Sequence, residues 1–456
     1  MAIPDVAEQP TTQPSVLSTQ SSLDVAKYRR ILDNLLPLRS TGRVAKVIGL
    51  AIEVEGLNAS VGELVYIYPG KSRDRMAAEV VGFKDDRIMV MPYGELAGIE
   101  AGCEVVGSGR LFDVPVGAGL LGRVIDGLGR PIDGKGRISA SGRSMLLGGP
   151  PHPLKRTRIS QVFSTGVRAI DGLLACGRGQ RMGIFSGSGV GKSTLLGMIA
   201  RYSSCDVSVI ALIGERGREV QEFIERDLGP DGLARSVVVV STSDQPALVR
   251  IKGAWVATAI AEHFRDQGRD VTLLMDSVTR FAMAQRELGL AIGEPPAMRG
   301  YPPSVFALLP KLMERAGTSD RGAISAFYTV LVEADDMNEP ITDTARSVLD
   351  GHIVLGRDLA AENHYPAIDV LASVSRVMDS IVTPDQRVMA GMLRETLASY
   401  RDARDLINIG AYVAGSNAQI DRGIRLMPGI NAFLKQRPED RSSFDDTVQG
   451  LRAVVA

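Results

Sequence analysis

The residues with the most definite chemistry form one short run, Ser186-Gly187-Ser188-Gly189-Val190-Gly191-Lys192-Ser193-Thr194. The apolar stretch Met182–Phe185 precedes it and the helix-forming stretch Leu195–Ala200 follows it. Strand, glycine turn and helix, in that order, are the context of a phosphate-binding loop. Glycines keep side chains out of the way, so successive N–H groups turn inward and form an anion nest. The helix start adds unpaired N–H groups and the positive end of its dipole. In such a loop Lys192 reaches the β- and γ-phosphates of a nucleotide, and the Ser193 hydroxyl ligates Mg²⁺. The strict pattern has glycine at the first position, where this chain has Ser186. The competing reading is an ordinary glycine-rich turn into a core helix.

Two acidic positions extend the chemistry. Glu215 lies in Gly214-Glu215-Arg216-Gly217-Arg218-Glu219, just after the apolar run Val207–Ile213. Ligands of open α/β sheets sit outside the carboxyl ends of strands. Glu215 is therefore placed to orient or deprotonate an attacking water. It is equally compatible with an ion pair to Arg216 or Arg218 on a solvated loop. Asp276 ends the run Val271-Thr272-Leu273-Leu274-Met275. An apolar strand ending in aspartate is a Walker B pattern, whose carboxylate holds Mg²⁺, usually through water.

The elements that must position these residues follow from texture. Met182–Phe185, Val207–Ile213, Val237–Ser241, Val271–Met275 and Ile324–Val332 are near-continuous apolar runs. Such runs mark strands buried on both faces of a parallel sheet. Pro246–Asp266 and Arg280–Leu290 are helical patterns between them, and the alternation is that of a βαβ domain. From Gly42 to about Val106, short runs separated by Gly, Asn and Asp predict a small β-barrel or sandwich. Residues 107–150 are rich in Gly and Pro and read as connection plus short strands. After about Arg376 the texture is helical: Arg387–Arg401, Gly423–Gln436 and Phe444–Val455.

The fold class is thus α/β: a small N-terminal β-barrel, a central P-loop domain with a parallel sheet, and a C-terminal helical domain. The predicted divisions are a disordered tail at 1–21, an amphipathic helix at 22–38, the β domain at 42–106, the P-loop domain at 107–376 and helices at 377–456. The tail is Pro-, Gln-, Ser- and Thr-rich and has too little apolar surface to offset its ordering entropy. In the helix, Val25, Tyr28, Ile31, Leu32, Leu35 and Leu36 recur at helical spacing. Its apolar stripe either docks on a partner, lies on a membrane surface or packs on its own chain.

Composition narrows the classes. The chain has 456 residues, 45% of them hydrophobic, and a net charge of −1, which argues against a generally basic nucleic-acid binder. Its 3 cysteines are scattered, in no C-x-x-C pair, which fits a reducing cytoplasm and not a structural zinc site. The 4 histidines show no ligand spacing. The longest apolar runs are far below the ~18 residues of a membrane span. The N-terminus has no secretory h-region.

Longer stretches carry a family resemblance over about 42–430: GLLGRVIDGLGRPIDG (119–134), TGVRAIDGLLACGRGQRMGIFSGSGVGKS (165–193), LIGERGREVQEFIE (212–225), MDSVTRFAMAQRE (275–287), GEPPAMRGYPPSVFALLPKLMERAG (293–317) and HYPAIDVLASVSR (364–376). The chain resembles the flagellar protein-export ATPases, relatives of the virulence type III secretion ATPases and of the rotary ATPase catalytic subunits. The 293–317 stretch is the most specific for secretion ATPases.

The resemblance implies a Mg²⁺-dependent ATPase that works as a homo-hexameric ring and energises export of flagellar proteins. By motif, Lys192, Glu215 and Asp276 match the phosphate lysine, catalytic glutamate and Walker B aspartate. Arg376 matches the arginine finger that reaches a neighbouring subunit's nucleotide, and Tyr365 the tyrosine that stacks on adenine. From the residues alone, Arg376 is a surface arginine and Tyr365 a core aromatic. The resemblance also implies a cytoplasmic protein, peripheral at the inner-membrane export apparatus. Its partners would be a regulatory stator-like protein at the N-terminal helix, a central stalk-like protein, the membrane export gate, and export substrates or chaperones.

Rotary catalytic subunits carry an acidic run that contacts the rotor; the corresponding stretch here is Asn408-Ile409-Gly410-Ala411-Tyr412-Val413-Ala414-Gly415. A virulence secretion ATPase or a rotary subunit are the nearest alternatives. A Rho-type RNA helicase is opposed by near-neutral charge, 5% aromatics and no RNA-stacking motif. Non-hydrolysing structural subunits lack the glutamate at the Glu215 position.

Overall fold

The computed structural model describes residues 25, 28, 29, 39–70, 74–332 and 336–456. The predicted tail at 1–21 lies outside them. So does most of the predicted helix at 22–38, of which Val25, Tyr28 and Arg29 are helical and exposed.

The β texture near the N-terminus closes into a six-stranded antiparallel barrel: β1 (Thr41–Ile48), β2 (Ala51–Glu55), β3 (Glu63–Tyr68), β4 (Met76–Lys84), β5 (Arg87–Pro92) and β6 (Glu104–Leu111), in the order β1-β2-β5-β4-β3-β6. Alternate residues point inward, and Val44, Ile52, Val54, Val65, Ile67, Val80 and Val90 fill the interior. β6 runs through residue 106 to Leu111, past the predicted end of the β domain. Gly107 pairs with Val65 there, where an added Cβ would lie 3.0 Å from Glu63 Oε1. A glycine that reads as connection is thus a strand residue in a crowded place.

Residues 107–150 contribute the short strands expected of them. β7 (Asp113–Val116) pairs with β9 (Gly142–Met145), and β8 (Arg123–Asp126) joins the edge of the central sheet. A short pair, β10 (Val162–Phe163) and β11 (Cys176–Gly177), precedes the phosphate loop.

The apolar runs become β12 (Arg181–Ser186), β13 (Val207–Ile213), β14 (Ser236–Ser241), β15 (Asp270–Asp276) and β17 (Ala323–Leu331). They stand in a sheet of order β19-β18-β12-β17-β15-β13-β14-β8, with β16 (Gly317–Thr318) paired to β17. β18 (Gly351–Leu355) is parallel to β12, and β19 (Ile368–Ser375) runs antiparallel to β18. Helices Ala247–Asp266 and Val278–Ala291 flank the sheet, and all seven residues of β13 are buried, as a doubly covered strand requires.

A short helical turn, Met378–Ile381, and three longer helices follow, Pro384–Asn408, Ala418–Leu434 and Phe444–Val455. The helix Ala418–Leu434 starts five residues before the predicted Gly423, because the Asn417 side chain caps it by accepting from Gln419 N and Ile420 N. No helix among the described residues is long and apolar enough to cross a membrane.

Candidate active site

β12 delivers the chain to Ser186, and the helix Lys192–Tyr202 starts five residues after Gly187. Gly189 (φ 78°) and Gly191 (φ 88°) are left-handed, which lets the loop fold back without a Cβ penalty. A Cβ on Gly187 would lie 2.6 Å from an Arg357 guanidinium nitrogen, so glycine is required there by contact. Ser186 is buried, and its hydroxyl has no hydrogen-bond partner among the described residues.

The register of the sheet brings both acids to the loop. β13 and β15 are parallel with Leu212 opposite Asp276, so Glu215, three residues past Leu212, emerges at the same edge. Lys192 Nζ donates to Asp276 Oδ1 at 2.5 Å and to Glu215 Oε1 at 3.4 Å. Thr329 on β17 donates its hydroxyl to the same Asp276 oxygen at 2.8 Å. Arg216 pairs with Glu219 at 3.3 Å and Arg218 with Glu222 at 3.7 Å. Neither takes Glu215, so of the two sequence readings of this residue the structure adopts the one facing the phosphate loop.

Burial shapes the charges. Burial, and then the neighbouring Asp276 charge, push the Glu215 carboxyl up to about 7 against the opposing pull of Lys192. For Lys192 burial favours the neutral amine, but the Asp276 and Glu215 carboxylates outweigh it and hold the ammonium above its ordinary value. A charged lysine thus stands beside an acid poised near neutrality. Ser193 is half-buried on the first helical turn. Ser193 and Asp276 offer the hard oxygen donors that Mg²⁺ takes. Among the described residues no three His, Cys, Asp or Glu side chains converge as a metal site. A cation here would draw most of its ligands from phosphate and water, which is the usual habit of Mg²⁺.

Tyr365 is 41% exposed and not a core aromatic. Its ring lies against the loop: a Cβ on Gly191 would be 3.4 Å from it. Its carbonyl accepts from the backbone N–H of Gln436 at 2.9 Å, which ties it to the C-terminal helices.

Arg376 is elsewhere. Its backbone N–H donates to the Asp350 carbonyl at 3.0 Å, and the Asp350 carboxylate binds Arg181 at the first position of β12. The loop begins at the other end of that strand, five residues or roughly 16 Å away at ~3.3 Å per residue. The structure therefore gathers Lys192, Ser193, Glu215, Asp276 and Tyr365 and leaves Arg376, exposed, at the opposite ends of the strands, past β19.

Sequence reasoning missed three neighbours. Thr329 is a hydroxyl inside an otherwise apolar strand, a signal that was present. Arg280, four residues past Asp276, packs its stem over Gly214, and its buried Nε has no partner among the described residues. Arg357 reaches Gly187 from a different strand end, and no local pattern marks it.

A phosphate loop, a lysine shared by two acids and a parallel sheet whose strand ends carry them define a P-loop ATPase. Three family models match: the beta-barrel domain of the ATP synthase alpha/beta family at 44–109, the nucleotide-binding domain of that family at 166–375, and the T3SS EscN ATPase C-terminal domain at 382–453. The flagellum-specific ATP synthase of Bacillus subtilis is 54% identical over 91% of this chain and 95% of its own length. The assembled ATPase EscN from the type III secretion system of enteropathogenic E. coli superposes with a TM-score of 0.86 at 47% identity, covering 91% of this chain and 100% of that one. EscN in complex with its central stalk EscO gives a TM-score of 0.84, again at 47% identity, covering 91% of this chain and 100% of that one. The chain belongs to the family of flagellum-specific ATP synthases and type III secretion ATPases, and it is an ATP-hydrolysing enzyme.

Proposed function

We propose that this chain hydrolyses Mg²⁺-bound ATP in a ring of identical subunits and so energises export of flagellar proteins through a type III apparatus. The observation that carries the reading is the convergence of Asp276 and Glu215 on Lys192, at 2.5 and 3.4 Å, beside the phosphate loop.

In this reading the loop amides of Gly187, Ser188, Gly189, Val190, Gly191, Lys192, Ser193 and Thr194 cradle the phosphates, and Lys192 exchanges its carboxylate partners for the β- and γ-phosphates. Ser193 and Asp276 would hold Mg²⁺, which would supply positive charge against the phosphoryl oxygens. Glu215, ionised near neutral pH, orients the attacking water and accepts its proton. Arg280 adds positive charge beside Gly214. Tyr365 stacks on adenine. Arg376, at the far ends of the strands, reaches the nucleotide of the next subunit, which makes assembly a condition of full activity.

The loop between the helices Pro384–Asn408 and Ala418–Leu434 supports a stalk partner. Ile409 and Val413 are 75% and 70% exposed there, and neighbouring exposed apolar side chains are a docking feature. The relative EscN binds a central stalk. A stator-like regulator at 22–38, delivery to a membrane export gate at the cytoplasmic face, and contacts with export substrates or chaperones complete the reading.

A virulence secretion role is the second reading, favoured by the C-terminal match to the EscN domain at 382–453. Two measurements test the proposal. Phosphate release from Mg²⁺-ATP must occur with wild-type protein and nearly vanish in Glu215→Gln. Deleting the gene in the source cell must abolish flagellar filaments; loss of a virulence secretion phenotype with filaments intact would select the second reading.

A further inference from the structure

Arg376 is held by a connection that runs back to the phosphate-loop strand. Asp350, just before β18, uses every polar group in it. Its carboxylate accepts from Arg181 N at 3.1 Å, from Arg181 Nε at 3.0 Å and from a terminal Arg181 guanidinium nitrogen at 3.1 Å. Its N–H donates to the Arg181 carbonyl at 2.9 Å. Its carbonyl accepts from Arg376 N at 3.0 Å and from Gln180 Nε2 at 3.1 Å. Gln180 Nε2 also reaches Ser375 Oγ at 3.2 Å, one residue before Arg376. The other side of the Arg181 guanidinium pairs with Glu314 at 2.5 Å, within the 293–317 stretch that marks secretion ATPases.

A bidentate guanidinium–carboxylate pair fixes direction as well as distance. Arg181 opens β12 and Ser186 closes it, so one six-residue strand joins this pair to the phosphate loop of the same subunit. The Arg376 side chain is anchored lightly by comparison, through one 3.3 Å bond to the Arg346 carbonyl. Its aim is therefore set by its backbone.

We infer that Asp350 and Arg181 are positioning residues for Arg376: their ion pair sets the reach of the arginine a subunit offers its neighbour and couples it to the subunit's own phosphate-loop strand. The inference rests on the proposed role of Arg376 in a neighbour's site.

Mixed assemblies test it. Asp350→Asn keeps the shape and loses the charge. Alone it should lower kcat by roughly 10–100-fold, the scale of a small misplacement, with KM and binding of a fluorescent ATP analogue within about twofold of wild type. Asp350→Glu should recover part of the loss. Lys192→Ala subunits have a dead site but an intact Arg376. Mixing them with Asp350→Asn subunits should restore hydrolysis, because the Asp350→Asn site is sound and receives a well-aimed arginine. Arg376→Ala mixed with Lys192→Ala is the control. If the control recovers and the Asp350→Asn mixture does not, the positioning role is wrong and the shared site stands. If neither recovers, the shared-site reading itself falls and takes the inference with it. An Asp350→Asn protein with wild-type kcat, or one whose own nucleotide binding collapses, would also overturn the inference.

Discussion

The Lys192 ammonium sits 2.5 Å from Asp276 Oδ1, joining the first residue of the loop helix to the last residue of β15. Both side chains are largely buried, 12% and 4% exposed. A lysine held this way is charged and aimed before any phosphate arrives. The loop and the Walker B strand thus form one electrostatic unit.

Lys192→Ala should lower ATP turnover by at least roughly 10²–10³-fold, the usual cost of one preorganised electrostatic contact. Binding should weaken too, because the cradle loses its positive charge while two buried acids remain. Steady-state phosphate release and titration with a fluorescent ATP analogue check both parts.

Glu215 supplies the pH dependence. Its folded-state value, about 7, lies above the ordinary 4.5. Below about pH 7 the carboxyl is protonated and cannot accept a proton, so kcat/KM should rise with pH through that region. The stability effect has the opposite slope. The folded state holds the proton more tightly than the unfolded chain, so stability falls as pH rises from about 4.5 through about 7. Glu215→Gln removes that cost. The variant should be nearly inactive, be more stable than wild type at pH 8 by up to about 3 kcal/mol and so melt higher, and match it at pH 4. Thermal melts at the two pH values, with the rate profile, read the result.

Tyr365 separates binding from chemistry. Stacking on a base is worth about 1–3 kcal/mol by alanine substitution. Tyr365→Ala should raise KM for ATP roughly tenfold or more with kcat little changed, and Tyr365→Phe should stay near wild type. An unchanged KM in the alanine variant would remove the tyrosine from the nucleotide site.

Much of this was legible in the sequence, for identifiable reasons. Val207–Ile213 and Phe444–Val455 fall on the boundaries read from their apolar pattern. Lys192 and Asp276 are bound to strand and helix ends by short motifs, so spacing alone locates them. Tyr365 and Arg376 are different. Nothing local in His364-Tyr365-Pro366 or Ser375-Arg376 says that one ring faces Gly191 and that one arginine faces away from its own loop. Both placements depend on β18 pairing with β12, a contact between strands 169 positions apart in the chain, and on β19 then pairing with β18. The Asp350–Arg181 pair is invisible for the same reason, since 169 positions separate its members. Gly107 lies at the start of the stretch read as connection plus short strands, and the structure makes it part of β6, paired with Val65.

We propose that a neighbouring subunit completes the ATPase site, since Arg376 stands at the strand ends away from Lys192 and is exposed there. The most direct measurement is specific ATPase activity across a dilution series, with Arg376→Ala in parallel. Wild-type activity per subunit should fall steeply once dilution passes below the assembly range, and Arg376→Ala should be roughly 10³–10⁵-fold slower within that range, with the difference closing on dilution. Activity per subunit that stayed flat on dilution, together with normal hydrolysis by Arg376→Ala, would show that each subunit's site is complete on its own.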